Sequence, residues 1–278
     1  MIKPQEISKI ANREGVRPQH IEKDYVISWV LWGVYNHGFL KDALIFKGGT
    51  CIKKIFIKDY RFSEDIDFTL DPSLDNALTD EDIYKAFNEI FGNIKEATNI
   101  DLSIPEESKD VHVSGSIRFY IEYIGPLGGK SDRIKTDIGK GEKLEFKVAN
   151  KPILNVYSDL GEEEEVLITC YSLEEIVIEK MVALMGRTIP RDLYDFEYLT
   201  STEGIELQDI FIEFLLKAKH KHHDPKEFVK KVAAKEKVFE KAWTANLSHQ
   251  IKGLKKFTDV WRDFNKQLRK FEKCMVKL

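Results

Sequence analysis

The sequence predicts an α+β fold, with strands and helices mixed up to about residue 170 and helices alone after it. Three observations carry this. Between residues 110 and 170, "SIRFYIEYIG", "RIKTDIG", "PILNVYS" and "EVLITC" are rich in the β-branched and aromatic residues that suit a pleated surface. From Ser172 to the C-terminus only the apolar period of helices recurs. Neither part contains an internal repeat or a low-complexity tract. A chain of 278 residues is long enough for two such domains, expected at 1–170 and 171–278.

The elements follow in order. Residues 5–14 and 18–37 form helices, the second with Ile21, Tyr25, Ile27, Val30, Leu31 and Val34 on a broad apolar face. Pro18 suits its first turn and Gly38 its stop. "ALIF" (43–46) is a short buried strand, Thr50–Lys58 a helix, and "RFSEDIDFTL" (61–70) an alternating strand. Thr79, with acids after it, caps a helix. Gly125, Gly128 and Gly129 mark the turn between two strands. Ser172 and Glu175 match a capping box, and the later helices break near Pro190, Glu203–Gly204, Asp224–Pro225 and Thr244.

Composition excludes several classes. Hydrophobic residues make up 42%, enough for a core, but no apolar run approaches the ~18 residues of a membrane span. The N-terminal MIKPQEISKI lacks a signal peptide's apolar stretch, so a soluble, cytoplasmic protein is expected. Cys51, Cys170 and Cys274 have no metal or disulfide spacing and read as buried thiols. From residue 201 there are 18 Lys+Arg against 11 Asp+Glu, a balance of +7; with −4 overall, the first 200 residues carry −11. A basic C-terminal part suits a polyanionic partner, or simply solvated helix faces. His220, His222 and His223 read as a basic helix end, Trp243, Phe257, Trp261 and Phe264 as bundle core, and "GEEEEV" (161–166) as an exposed acidic turn.

Chemistry concentrates in residues 46–68. Asp65 and Asp67, two apart on a strand, project to one face. Two adjacent carboxylates repel unless a cation lies between them, and magnesium takes one or two carboxylates plus phosphate oxygens. The alternative is a solvated face carrying acids for solubility. Upstream, Gly48 and Gly49 let backbone approach a ligand, and Thr50 opens a helix whose first amides favour an anion; a tight strand-to-helix turn is the other reading. Together the two stretches describe a nucleotide site.

This arrangement resembles a known superfamily. G-[GS]-[ST], a helix, then D-x-D on a strand is the signature of nucleotidyltransferases related to DNA polymerase β. The similarity is greatest to the AbiEii/AbiGii-type toxin family. "FKGGTCIKKIF" (46–56) and "RFSEDIDF" (61–68) resemble its first motif, and "IEKDYVISWVL" (21–31) its N-terminal helix. "RIKTDIG" (133–139) and "LEEIVIEKMVALMGRTIPRDLYDFEYL" (173–199) resemble later motifs. The last stretch is the most specific. The resemblance implies a nucleotidyltransferase-fold mixed sheet with flanking helices and an all-helical C-terminal part that completes the active site and binds acceptor.

It also implies roles. Asp65 and Asp67 would hold magnesium or manganese, and the Gly48–Gly49–Thr50 turn the β- and γ-phosphates of an NTP. Asp137 is the candidate third carboxylate, for a second metal or for the acceptor's proton, with Lys135 on its face; otherwise it is a strand-end aspartate beside Gly139. Lys180 would reach the triphosphate, with Arg187 and Arg191 as further phosphate contacts. Asp192 and Asp195, three apart on a helix, would orient Lys180 or Arg61 or touch the nucleotide, one of them forming only a structural ion pair. Arg61 and Ser63 fit R-x-S-x-D-x-D, Ser63 sharing the strand face of the acids, where it would bind metal water or phosphate. The implied activity is metal-dependent transfer of NMP from an NTP to an acceptor hydroxyl, with the 3′ end of tRNA favoured, in a toxin opposed by a separately encoded antitoxin. The alternatives are transfer to a protein side chain or a small molecule such as an aminoglycoside, and a non-catalytic nucleotide- or RNA-binding module.

Overall fold

A computed structural model describes residues 1–278 except 75–76, 112–114, 155, 161–165 and 277–278. The acidic turn expected at 161–166 therefore lies, but for Val166, outside the described residues. The chain divides into two compact units, Met1–Glu142 with Val148–Cys170, and Lys143–Lys147 with Tyr171–Leu278.

The first unit opens with helices α1 (Pro4–Glu14), α2 (Pro18–Asn36) and α3 (Leu40–Ala43). Strand β1 (Leu44–Lys47) runs directly into α4 (Gly48–Cys51), which continues as a π-helical turn over Ile52–Phe56. Then come β2 (Ile66–Leu70), α5 (Asp80–Thr98), β3 (Asp101–Ser103), β4 (Asp110–Val111), β5 (Ile117–Ile124), β6 (Asp132–Gly139), β7 (Ala149–Pro152) and β8 (Leu167–Cys170). They form one mixed sheet in the order β3-β5-β6-β2-β1-β8-β7, with β4 on β5. The β1/β2 and β5/β6 pairs are antiparallel, while β2/β6 and β1/β8 are parallel. The hydrophobic alternation decides which face is covered. Ile66, Phe68, Phe119, Ile121, Ile134 and Ile138 are buried, and α5 packs Phe87 edge-on against Phe119 at 5.0 Å. Asp67, Arg118, Lys135 and Asp137, at the alternate positions, stay partly open on the other face.

Several expectations need correction. Helical structure begins at Gly48, not Thr50, and ends at Phe56, because Lys47 already adopts the extended conformation of an N-cap. Residues 61–65 are irregular, so Ser63 is not on the strand, and Asp65 lies one residue before β2. "PILNVYS" is a strand only at its first residue, Pro152; Asn155 within it lies outside the described residues. Tyr157 is instead turned inward, where its hydroxyl donates to Asp24 Oδ2 at 2.6 Å.

A buried network fixes α4 against α2. Lys54, on the π-helical turn, reaches the Asp24 carboxylate, the Asp24 carbonyl at 3.0 Å and Ser28 Oγ at 2.8 Å. Lys54 and Asp24 are both only 2% exposed. Burial pulls the Lys54 ammonium down to about 8, against the opposing pull of Asp24.

The second unit is helical: α6 (Leu173–Gly186), α7 (Pro190–Ser201), α8 (Phe211–His220), α9 (Phe228–Ala233), α10 (Glu236–Leu247) and α11 (Phe257–Val276). α10 runs through Thr244, where a break was expected, to Leu247; Trp243 and Leu247 carry its buried face past that point. Trp243, Phe257, Trp261 and Phe264 are core, with ring centroids 5.1–5.7 Å apart along the series. Ser172 Oγ accepts the Glu175 amide at 3.2 Å, but the reciprocal half of the capping box does not form. The Glu175 carboxylate instead takes the amides of Glu145 and Phe146 at 2.9 and 2.8 Å and the buried Lys217 ammonium at 2.7 Å. Cys51 and Cys170 are buried as expected, whereas Cys274 is half-buried near the end of α11.

Candidate active site

In the first unit the glycine turn and the acids meet. Lys47 on β1 pairs with Asp67 on β2, so the chain enters the Gly48 turn directly beside the Asp67 carboxylate. Gly48 has φ +82, and a Cβ there would lie 2.6 Å from Asp67 Oδ2. Only glycine fits, on both counts. A Cβ at Gly49 would strike the Arg61 guanidinium and come within 3.4 Å of Ser63 Oγ. The Thr50 hydroxyl donates to the Asp65 carbonyl, which ties the mouth of β2 to the turn. Arg61 is 4% exposed and donates to the Phe62 carbonyl at 3.2 Å. Gly48, Gly49, Thr50, Arg61, Ser63, Asp65 and Asp67 thus converge, although they come from a strand end, a helical turn and an irregular segment.

The sheet register extends this group sideways. Asp67 pairs with Asp137 across the parallel β2/β6 ladder, and Asp137 with Arg118 across β5/β6. Arg118, Asp137, Asp67 and Lys47 therefore form one transverse row over four strands, and register partners in a sheet share a face. Arg118 Nε lies 2.6 Å from Asp137 Oδ1, and Lys135 contacts Oδ2. Burial alone would push the Asp137 carboxyl up, but the bonds from Lys135 and Arg118 outweigh it and hold it below the ordinary carboxylate range. At the far end of the row Lys47 Nζ lies 3.5 Å from Glu142 Oε1. Neither Lys47 nor Arg118 stands out in the sequence. The alternation of "SIRFYIEYIG" puts Arg118 on the polar face, but only the register brings it to Asp137.

The donor chemistry fits a divalent cation. Asp67 supplies a hard oxygen ligand beside a turn that a Cβ would fill, and Asp65, whose carbonyl takes the Thr50 hydroxyl, lies two residues before it. Among the described residues no three or more His, Cys, Asp and Glu side chains are gathered as a metal cluster.

In the second unit, Lys180 on α6 bridges both predicted acids of α7, at 3.0 Å to Asp192 Oδ1 and 2.7 Å to Asp195 Oδ2. Arg187 closes a bidentate fork on Asp192, at 2.7 and 3.0 Å. Asp192 and Asp195 are 1% and 0% exposed. Burial works to raise the Asp192 carboxyl, yet Lys180 and Arg187 hold it below the ordinary range. Arg191, next to Asp192 on α7, is half-buried. The histidines beyond α8 include His222 in the left-handed region at φ +59.

Comparison with known proteins agrees with this architecture. A family model described as "Nucleotidyl transferase AbiEii toxin, Type IV TA system" matches residues 29–271. The fold is similar to that of JHP933 from Helicobacter pylori, with TM-score 0.57 and 17% identity over 94% of this chain and 95% of that one. It is also similar to MenT4, a nucleotidyltransferase toxin from Mycobacterium tuberculosis, with TM-score 0.58 and 16% identity over 78% and 70% of the two chains. No curated protein matches.

Proposed function

We propose that this chain, which belongs to the AbiEii nucleotidyl transferase toxin family of type IV toxin–antitoxin systems, transfers NMP from an NTP to an acceptor hydroxyl, in a magnesium- or manganese-dependent reaction, with the 3′ end of RNA, tRNA above all, as acceptor. The observation that carries the reading is the contact between the Gly48 turn and the Asp67 carboxylate. It puts backbone suited to an anion against a carboxylate suited to a cation, which is the pairing a metal–triphosphate needs. Asp65 and Asp67 would hold the metal, which when bound neutralises triphosphate charge and makes the α-phosphorus electrophilic. Gly48, Gly49 and Thr50 bind the β- and γ-phosphates, and Arg61 and Ser63 border the same turn. The acceptor oxygen forms a bond to the α-phosphorus, the bond to the bridging oxygen breaks, pyrophosphate leaves, and the hydroxyl proton passes to solvent. Phosphoryl transfer depends mostly on positioning and charge, which fixed residues of this kind supply. Lys180 and Arg187, held by Asp192 and Asp195, give the helical unit a pair of cations of its own suited to phosphate. The family implies a separate antitoxin.

The test is incubation of the wild type and Asp67→Ala with total RNA, magnesium and each labelled NTP in turn. Label enters RNA with the wild type alone. Label entering protein or a small-molecule acceptor instead would replace RNA in this reading. The absence of magnesium-dependent NTP binding by calorimetry would replace the enzyme with a binding module.

A further inference from the structure

The first unit also holds a cavity of about 250 Å³, lined from α1, α2, the π-helical turn and the segments that carry Phe62 and Tyr157. Ile10, Ile21, Phe62, Val156 and Tyr157 give it apolar and aromatic walls. Arg13 and Lys58 share the lining with Glu14 and Asp59, so both signs of charge are present. An apolar cavity of about 150 Å³ accepts a benzene ring, and this one has room for a fused bicycle. It is separate from the phosphate turn. Arg61 and Ser63 border Gly49, whereas Phe62, between them, lines the cavity.

Asp24 lines this cavity and is 2% exposed. Its Oδ2 takes the Lys54 ammonium and, at 2.6 Å, the Tyr157 hydroxyl. Its Oδ1 is buried and meets no hydrogen-bond donor among the described residues. A carboxylate oxygen withdrawn from water is costly to leave unbonded. Lys53 does not supply the bond: its ammonium donates to the carbonyls of Lys58 and Tyr60 at 3.4 and 3.1 Å and lies 4.0 Å from the centre of the Phe62 ring. The absent partner is therefore a donor. It need not be a cation, because Lys54 already opposes the Asp24 charge and would repel a second ammonium. An uncharged N–H suits the position better.

We propose that this cavity is a binding site for a planar, uncharged heterocycle with an N–H donor, the chemistry of a nucleobase. The ring packs against the aromatic walls, as aromatic pairs do, and its N–H donates to Asp24 Oδ1. Asp24 also holds Lys54, on the helical segment that opens at Gly48, so the occupant bears on the anchor of that turn. The site needs no metal and stands apart from the transferase reading.

The experiment is calorimetric titration of the full chain with 9-methyladenine, whose amino group carries its only N–H donors, and with 9-methylpurine, which is smaller and has none. 9-Methyladenine should bind saturably with a Kd below about 1 mM, and 9-methylpurine at least about tenfold more weakly, the scale of one hydrogen bond to a charged group. Val156→Phe, which fills the cavity from a half-buried position, should abolish this binding and leave magnesium–NTP affinity unchanged. Saturating magnesium–NTP should not displace the ligand. Equal affinity for the two probes, no saturable binding of either, binding that survives Val156→Phe, or displacement by NTP would overturn the assignment. The comparison of the two probes on the wild type stands even if the variant folds poorly. A wild type that labels no acceptor would sink the transferase reading and leave this site standing.

Discussion

The charged row on the sheet and the charged knot on α6 and α7 are built from the same residue types and put them to opposite uses. On the sheet, Asp67 and Asp137 are partly open, and Asp67 abuts a glycine turn that admits no side chain. In the knot, Asp192 and Asp195 are closed off from solvent, and each is bonded to Lys180. A carboxylate that must take a metal has to keep an oxygen available. One that must aim a lysine can be sealed. The difference teaches that burial in the knot commits the aspartates to holding Lys180 and Arg187, whereas the sheet acids keep oxygen exposed.

That contrast can be broken from either side. The largest effect is expected at Asp67: Asp67→Ala should reduce nucleotide transfer by at least about 100-fold, the scale of removing one preorganised charge group. Its urea midpoint should stay near wild type, since the residue is half-open. If stability fell in parallel, the sheet row would be scaffolding. Asp192→Ala should do the reverse in kind, lowering unfolding free energy by about 3 kcal/mol, because it removes the buried acid that pairs with both Lys180 and Arg187. Urea denaturation of Asp192→Ala and Asp192→Asn measures this.

Next comes Gly48→Ala. A left-handed φ and a clash with Asp67 should cost about 1–2 kcal/mol and about tenfold in transfer. Gly92→Ala on α5, where a new Cβ meets nothing within 4 Å, should instead gain about 1 kcal/mol and leave transfer unchanged. Acid titration sharpens the comparison further. The folded Asp137 and Asp192 carboxyls both lie below their ordinary value. Their contribution is therefore complete above about pH 3.9, the unfolded value, and is lost as pH falls through the lower folded values. Asp192→Asn should flatten the stability–pH curve in that acid range, and Asp137→Asn, half-open, should flatten it less.

Much of this is legible in the sequence. The two-part α+β plan follows from the switch in apolar period near residue 170, and the glycine–aspartate proximity from a single helical segment in the connection between two short strands. Thr79 announces its helix because capping chemistry is local, and it does form the full box with Asp82. Ser172 forms only half of its box, because Glu175 has stronger buried partners 30 and more residues away, which no local pattern reveals. Arg118 and Lys47 were missed for the same reason. Their meaning depends on which strand lies beside which, and the order β5-β6-β2-β1 is not written in any one strand. Among the described residues of the strand expected at 152–158, Tyr157 is buried against α2 instead of joining a ladder.

The bolt between Lys54 and α2 has a consequence for how the protein can be cut. The turn that meets Asp67 is one end of a short helical segment, and the other end is pinned by Asp24 and Ser28 in α2. Trimming the first 36 residues would thus remove no group assigned to chemistry, yet it would unmoor the phosphate cradle at its root. Such a truncation should lose nucleotide affinity, and that loss would mark α2 as the mount of the Gly48 turn.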